Sequence, residues 1–572
     1  MIETKLREYI AEALGELGVT DVPVLLEHPA DLMHGDFATN VAMVAAKKAG
    51  KNPRALAEEI VQSLKKKQDG YIADITIAGP GFINFTLSQK YFTAALAEAL
   101  EKGENFGCNK TLEGKKVIVE YTDPNPFKEF HIGHLMSNAI GESISRLVEF
   151  SGAETKRACY QGDVGLHVAK AVWGMKFLSG EKEILTTRKD SFYLGHAYAV
   201  GAKAYEDTPG AKESILEINK MIYHCSDEKI NDLYNWGKKI SLENFEEIYK
   251  RLGTNHGDGK AFNYYFFESK TGEFGKKVVG EHPEIFVASD GAIVYKGDES
   301  KGLHTRVFIN KEGLPTYEAK ELGLAKIKYD TYPYDTSIVI TGNEVNDYFK
   351  VLLDAMSKVF PDLAAKTEHY SHGMLRLPTG KMSSRTGDVI TATALIDDTK
   401  ERAAQKIADS VFVNEEKAVL TEQVAIGAIK YSILRQASGK DIIFDFEQSL
   451  SFEGDSGPYL QYTYARTCSL LAKAGEKKID VATIAGESEV SPLHKYLLRF
   501  PHVVLRAQEE RAPHYIATYL IELAREFNSF YGNTMILDGA PDEGYKLALV
   551  KLTRNVLKQG LWLLGIEAPS KM

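Results

Sequence analysis

EYTDPNPFKEFHIGHLMSNAIG, residues 120–141, decides the fold. It completes a short β-branched and aromatic run, VIVEYT (117–122), that reads as a buried strand. The Pro-rich loop DPNPFKEF (123–130) follows, and a helix is predicted to begin near Gly133. Ile140, Ile144, Leu147 and Val148 fall at i, i+4, i+7 and i+8, an apolar stripe that would lay this helix on a sheet. Strand, loop and helix in this order open a parallel α/β unit, whose binding crevice lies beyond the carboxyl ends of the strands.

The same stretch carries chemistry. His131 and His134 stand three apart at the helix start, so their side chains can point together into the crevice. Backbone N–H groups and the positive end of the helix dipole favour an anion there, and Gly133 lets a flat ring or a phosphate approach the backbone. A pair of capping or core histidines is the competing reading; metal ligation is another, but it lacks a third ligand in a recognisable motif. Farther on, KMSSRTGD (381–388) sets Lys381 and Arg385 around Ser383 and Ser384. It reads either as an exposed turn or as a mobile cationic clamp over phosphates.

At 572 residues the chain exceeds one hydrophobic core. Residues 1–110 read as an α+β unit, with helical patterns at 3–17 and 53–66 and a strand–turn–strand in YIADITIAGPGFINFTL (71–87). Residues 111–390 read as an α/β parallel-sheet domain holding a Tyr- and Lys-rich insertion at about 171–300, after which the sheet pattern resumes in TRVFIN (305–310) and SIVITGNEV (337–345). From 391 to 572 helical periods dominate, as in Ile516, Tyr519, Leu520, Leu523, Phe527 and Phe530, so an all-α bundle is expected.

A net charge of -10 argues against a generally basic nucleic-acid binder, so any polyanion must meet local patches. Lys551, Arg554 and Lys558 form one such stripe, opposite Leu549, Leu552 and Val556. The 4 cysteines lie far apart, suggesting neither a zinc site nor a disulfide scaffold, and point to a reducing compartment. No apolar run approaches a membrane span, and the N-terminus MIETKLREYIAEALGELG is unlike a signal peptide, so a cytoplasmic protein free of membranes is expected.

HIGH at 131–134 followed by KMSSR at 381–385 resembles the paired signature motifs of class I aminoacyl-tRNA synthetases. The segments GDFATNVAM (35–43), NPRALAEEI (52–60), AGPGFINFTLS (78–88), GDVGLHVAK (162–170) and GPYLQYTYARTCSLL (457–471) narrow the resemblance to the arginyl-tRNA synthetases. That resemblance implies a Rossmann-type catalytic domain between an N-terminal domain contacting the elbow of transfer RNA and a helical bundle gripping its anticodon. It implies ATP with Mg2+ held mainly by phosphates and no dedicated metal site. L-arginine and its transfer RNA would be the other substrates, with activation requiring bound RNA; DNA would not be a partner, and a monomer is the default.

By the same resemblance ATP would meet His131, Gly133, His134, Lys381, Ser383 and Ser384, and its adenine Gly373 and Met374 in SHGMLRL (371–377). Arginine would meet Glu120, Asn125, Tyr317 and Glu321, the last an aspartate in the family. Val345 stands where many relatives carry a glutamine, so that contact is not carried over. RNA candidates are Phe82 for stacking, Asn84 for hydrogen bonding, and Arg466 with Tyr459 and Tyr462. The usual KMSKS has a second lysine where this chain has Ser384, and Lys128, three residues before His131, is the candidate to replace its charge. A non-catalytic tRNA-binding paralogue and an RNA-independent adenylating enzyme are the alternatives. Intact motif residues oppose the first, and the long terminal regions oppose the second.

Overall fold

VIV at 117–119 has no polar alternation because its strand is covered on both faces, as parallel strands are. In the computed structural model, which describes residues 2–29, 31–67, 70–180, 191–254, 259–378, 390–407, 414–475, 477 and 490–572, that strand is the centre of a five-stranded parallel sheet. Its strands are β1 (Lys116–Glu120), β2 (Glu154–Gln161), β3 (Tyr264–Phe267), β4 (Thr336–Gly342) and β5 (Thr367–His372). They lie in the order β5-β4-β1-β2-β3. Strand order reverses between β1 and β4, so a crevice opens beyond their carboxyl ends, where Glu120 and Gly342 stand.

The helix expected near Gly133 spans Ile132–Phe150, but it is not striped. Asn138, Glu142, Ser143 and Ser145 are as buried as Ile144, because the side turned from the sheet packs against the C-terminal bundle. The face that sequence marks as polar is thus a second internal interface.

The expected insertion is divided. β3 falls inside 171–300 and pairs in parallel with β2, and the helix Glu268–Glu281 follows it directly. Among the described residues, four helices from Leu166 to Arg251 occupy the connection before β3; after it comes an antiparallel sheet of Phe286–Ser289, Ala292–Tyr295 and Arg306–Ile309. TRVFIN therefore belongs to that small sheet and not to the parallel one. YYFF is short and uniformly aromatic, so no period distinguishes it.

At the N-terminus, helices Ile2–Glu16, Val41–Ala49, Pro53–Lys65 and Gln89–Lys102 accompany an antiparallel sheet whose central strand is Phe82–Leu87. Asn52 caps the third helix by accepting the Arg54 N–H at 2.9 Å, with Pro53 at the first helical position. This unit docks on the bundle through Lys495 and Asp36, 3.0 Å apart. Ile516, Tyr519, Leu520, Leu523 and Phe527 are buried as the helical period requires.

Candidate active site

The loop after β1 is strained. Thr122, Asp123 and Phe127 take φ of 81°, 46° and 68° without being glycines, each at a cost of about 1–3 kcal/mol. Hydrogen bonds hold them there: Ser137 Oγ accepts the Thr122 N–H at 2.9 Å, and Thr122 Oγ1 accepts from Asn138 Nδ2 at 3.1 Å. Asp123 Oδ1 accepts the Tyr160 N–H at 2.7 Å.

Beyond the loop, His131 caps the helix and stacks on His134, ring centroids 3.6 Å apart. His131 Nδ1 accepts the Gly133 N–H at 3.1 Å, and His134 Nδ1 accepts the His131 N–H at 3.3 Å. A Cβ on Gly133 would stand 2.9 Å from the His131 ring. Burial, then neighbouring cations including Lys128, hold both imidazoles below their ordinary pKa, so they are neutral at pH 7. A neutral ring whose Nδ1 accepts must carry its proton on Nε2. The capping reading and the ligand reading are therefore both satisfied, by different nitrogens of the same rings.

Lys381, Ser383 and Ser384 lie outside the described residues. The chain after them, however, returns to the first motif: Ile390 C=O accepts the Ile132 N–H at 3.2 Å and Ala392 N–H donates to Phe130 C=O at 2.8 Å. Lys128 is half-buried, and burial followed by Lys170 lowers its pKa. With His167, Tyr317 and Lys320 it lines a cleft of about 440 Å³.

Carboxylates crowd the other wall. Glu120 is buried and accepts from Lys328 Nζ at 2.7 Å; Glu268, just after β3, accepts from Lys320 Nζ at 2.5 Å. Glu321 is half-buried with no hydrogen-bond or ion-pair partner found among the described residues. Burial, then the Glu120 charge, pushes both Asp123 and Glu321 well above the usual carboxylate range. Four carboxylates thus share two ammonium groups, and the pocket is short of positive charge. Close approach builds it: a Cβ on Gly275 would stand 1.8 Å from Ala319 O, so the helices bearing Glu268 and Glu321 touch at a glycine. Likewise a Cβ on Gly162 would meet Asn125 Oδ1 at 2.3 Å and Glu268 Oε1 at 3.3 Å.

Tyr317 and Glu321 share a helix face, as their spacing predicts, but at different depths. Tyr317 is 58% exposed at the cleft rim, while Glu321 sits among the acids. Asp123, Glu268, Lys320, Lys328 and Tyr348, whose hydroxyl is raised by burial and then Glu321, are site residues that sequence reading missed. Glu268 had a signal: it ends an apolar run just as Glu120 does.

Other candidates are placed differently from expectation. Met374 spends its backbone elsewhere, its N–H on Asp441 Oδ1 at 2.9 Å and its C=O on the Ile442 N–H at 2.8 Å, leaving only its side chain for a ligand. A Cβ on Gly373 would stand 2.3 Å from Lys440 O, so packing alone requires that glycine. Phe82 is 41% exposed, but Asn84 is only 7% exposed in the central strand and does not offer its amide to a base. In the basic stripe, Lys558 forms a surface ion pair with Glu104 at 2.6 Å, and Lys551 and Arg554 are half-buried. Arg466 lies between the rings of Tyr462 and Tyr531, 4.9 and 5.0 Å away, and Tyr459 OH accepts from Asn528 at 2.9 Å.

A reversing parallel sheet, a histidine pair at the start of the helix beyond its central strand, and a chain that returns to that turn at Ile390 and Ala392 define a class I aminoacyl-tRNA synthetase. Residues 95–446 match the family described as tRNA synthetases class I (R), catalytic domain; residues 460–572 match the DALR anticodon binding domain, and 4–87 the arginyl tRNA synthetase N terminal domain. The chain is 33% identical to an arginine–tRNA ligase of Fusobacterium nucleatum, covering 94% of this chain and 93% of that one. It is 30% identical to one of Bacteroides thetaiotaomicron, covering 100% of both. The arginyl-tRNA synthetase of Thermus thermophilus shares the fold with a TM-score of 0.81 at 24% identity, covering 100% of both chains. That of Plasmodium falciparum gives 0.80 at 22%, covering 100% of this chain and 99% of that one. The chain belongs to the arginyl-tRNA synthetase family.

Proposed function

We propose that the protein is an arginine–tRNA ligase. The carboxylate of L-arginine attacks the α-phosphorus of ATP and pyrophosphate leaves; a hydroxyl at the 3′ end of transfer RNA then attacks the arginyl carbonyl and AMP leaves. The observation that carries this reading is a histidine pair whose Nδ1 atoms are spent on the helix start, leaving Nε2–H for a ligand, together with a carboxylate cluster short of cations.

His131 and His134 donate to phosphate oxygens as charge moves onto pyrophosphate, and being neutral they need no reorganisation. Lys128 supplies the charge that Ser384 does not, with Lys381 as the second-motif contact. Glu321 and Asp123 receive the substrate guanidinium, with Asn125 beside them and Tyr317 at the rim; Glu120, already bonded to Lys328, orients that wall. Magnesium enters as the counter-ion of ATP, held by phosphate oxygens. Residues 1–110 would meet the elbow of the RNA, with Phe82 stacking, and the bundle its anticodon, with Tyr462, Arg466 and Tyr531 as the stacking surface. Free cysteines fit a cytoplasmic setting, and a monomer is the default assembly.

Aminoacylation of unfractionated transfer RNA with each of the twenty amino acids tests this. Arginine alone should be incorporated. No arginine incorporation by folded protein would overturn the assignment, and arginine-dependent pyrophosphate exchange without RNA would overturn the RNA requirement.

A further inference from the structure

Two basic side chains, Arg146 and Lys430, bridge the same pair of helix ends. Arg146, on the Ile132–Phe150 helix, donates Nη1 to Trp562 O at 2.8 Å and Nη2 to Gly253 O at 3.2 Å. Lys430, on the helix Asn414–Leu434, donates to Gly565 O at 2.7 Å and Leu252 O at 2.5 Å. Those carbonyls end the helices Glu228–Arg251 and Glu543–Leu563, where the helix dipole is negative. Lys430 is wholly buried and Arg146 nearly so, so neither helix end can shift without stranding a buried hydrogen-bond donor.

From this clamp two hydrogen-bonded branches run to the strained loop. Arg146 Nε donates to Glu142 at 2.7 Å, and Glu142 accepts the Tyr121 hydroxyl at 2.5 Å. Thr254 Oγ1 donates to Asn138 Oδ1 at 2.9 Å, and Asn138 Nδ2 to Thr122 Oγ1 at 3.1 Å. Tyr121 and Thr122 directly follow Glu120. The C-terminal helix Glu543–Leu563 is thus tied, through buried groups with fixed partners, to a backbone held off its preferred conformation.

We propose that Arg146 and Lys430 are positioning residues that make the geometry of the catalytic loop depend on the seating of the C-terminal helix. This rests on the ligase reading above. Local stitching alone would require only that the helices stay folded; coupling requires that the turnover of a fully RNA-bound enzyme suffer when the clamp is altered.

The test compares Arg146→Lys, Lys430→Met and Ser143→Ala with the parent, Ser143 being the milder tie, whose hydroxyl donates to Leu563 O at 2.7 Å. Arg146→Lys keeps the charge but cannot span three acceptors. For each, melting temperature, dissociation constant for purified arginine-accepting transfer RNA, and kcat of arginylation at saturating RNA are measured. The clamp predicts a kcat lower by tenfold or more in Arg146→Lys and Lys430→Met, and by threefold or more in Ser143→Ala, with RNA affinity within threefold of the parent. Folded variants that keep kcat within threefold at saturating RNA, whatever their affinity, would overturn it; should a clamp variant fail to fold, Ser143→Ala decides by its own threshold. A parent that never arginylates RNA would instead sink the ligase reading.

Discussion

The two ends of the helix Ile132–Phe150 meet opposite electrostatic conditions. At its start, Nε2 of His131 and of His134 has no hydrogen-bond partner found among the described residues, and neither has Glu321. Toward its other end, Glu142 is matched by Arg146, Arg157 and Tyr121, and burial notwithstanding those partners hold its carboxyl down at about 2. Both ends carry ionisable side chains in buried surroundings, so burial and residue type do not separate a reactive site from a structural one. Satisfaction does: the structural end has spent its hydrogen bonds, whereas the reactive end keeps donors and acceptors for groups that arrive with the substrates.

This contrast can be broken at the reactive end first. His134→Ala should lower arginine activation by roughly 10²–10³-fold, the usual cost of one preorganised donor; a loss under tenfold in pre-steady-state activation would remove the histidine pair from the chemistry. Lys128→Ala should cost about 10²-fold, part of it recovered by adding Ser384→Lys. Activation within a few-fold of the parent in Lys128→Ala, with Ser384→Lys silent in either background, would end the idea of a relocated charge. Glu321→Gln should raise the KM for arginine by roughly tenfold or more and leave that for ATP within twofold, since a guanidinium loses one charged acceptor.

The clamp end answers to pH instead. Burial, then Arg146, lowers Lys430 to about 7, against Glu142 and Glu567, which act to raise it. Between that value and the ordinary lysine pKa the unfolded chain binds the extra proton and the folded chain does not, so stability rises with pH there. Relative to Lys430→Met, the parent should therefore gain about 1–2 kcal/mol between pH 7 and pH 9 in urea unfolding; a flat difference would show that the two carbonyls keep the ammonium charged. The smallest effect belongs to the N-terminal sheet, where Asn84→Ala should leave RNA affinity within twofold while Phe82→Ala weakens it several-fold in direct titration.

Sequence shows the reactive end better than the clamp, for a physical reason. HIGH on a strand-to-helix turn, and carboxylates at strand ends, are local patterns, and β1, its loop and its helix follow from them. Glu268 escaped because YYFF has no period that marks it as a strand, so its place beside β2 is a tertiary fact. Lys328 and Lys320 read as solvated helix charges, yet each is buried against an acid distant in the chain. Arg146 and Lys430 are harder still, because their acceptors are backbone carbonyls, which leave no trace in residue type. Asn84 and Lys558 show the converse: polar residues suited to RNA whose burial or pairing follows from neighbours far along the chain.

The central claim is that the unspent groups at the start of the helix are spent on substrates. A crystal structure of the protein with L-arginine, a non-hydrolysable ATP analogue and transfer RNA tests it most directly. The account predicts Nε2 of His131 and His134 within about 3.2 Å of phosphate oxygens, and the guanidinium within the same reach of Glu321. Phosphates held away from both rings, or a guanidinium seated elsewhere with Glu321 still unpaired, would contradict it.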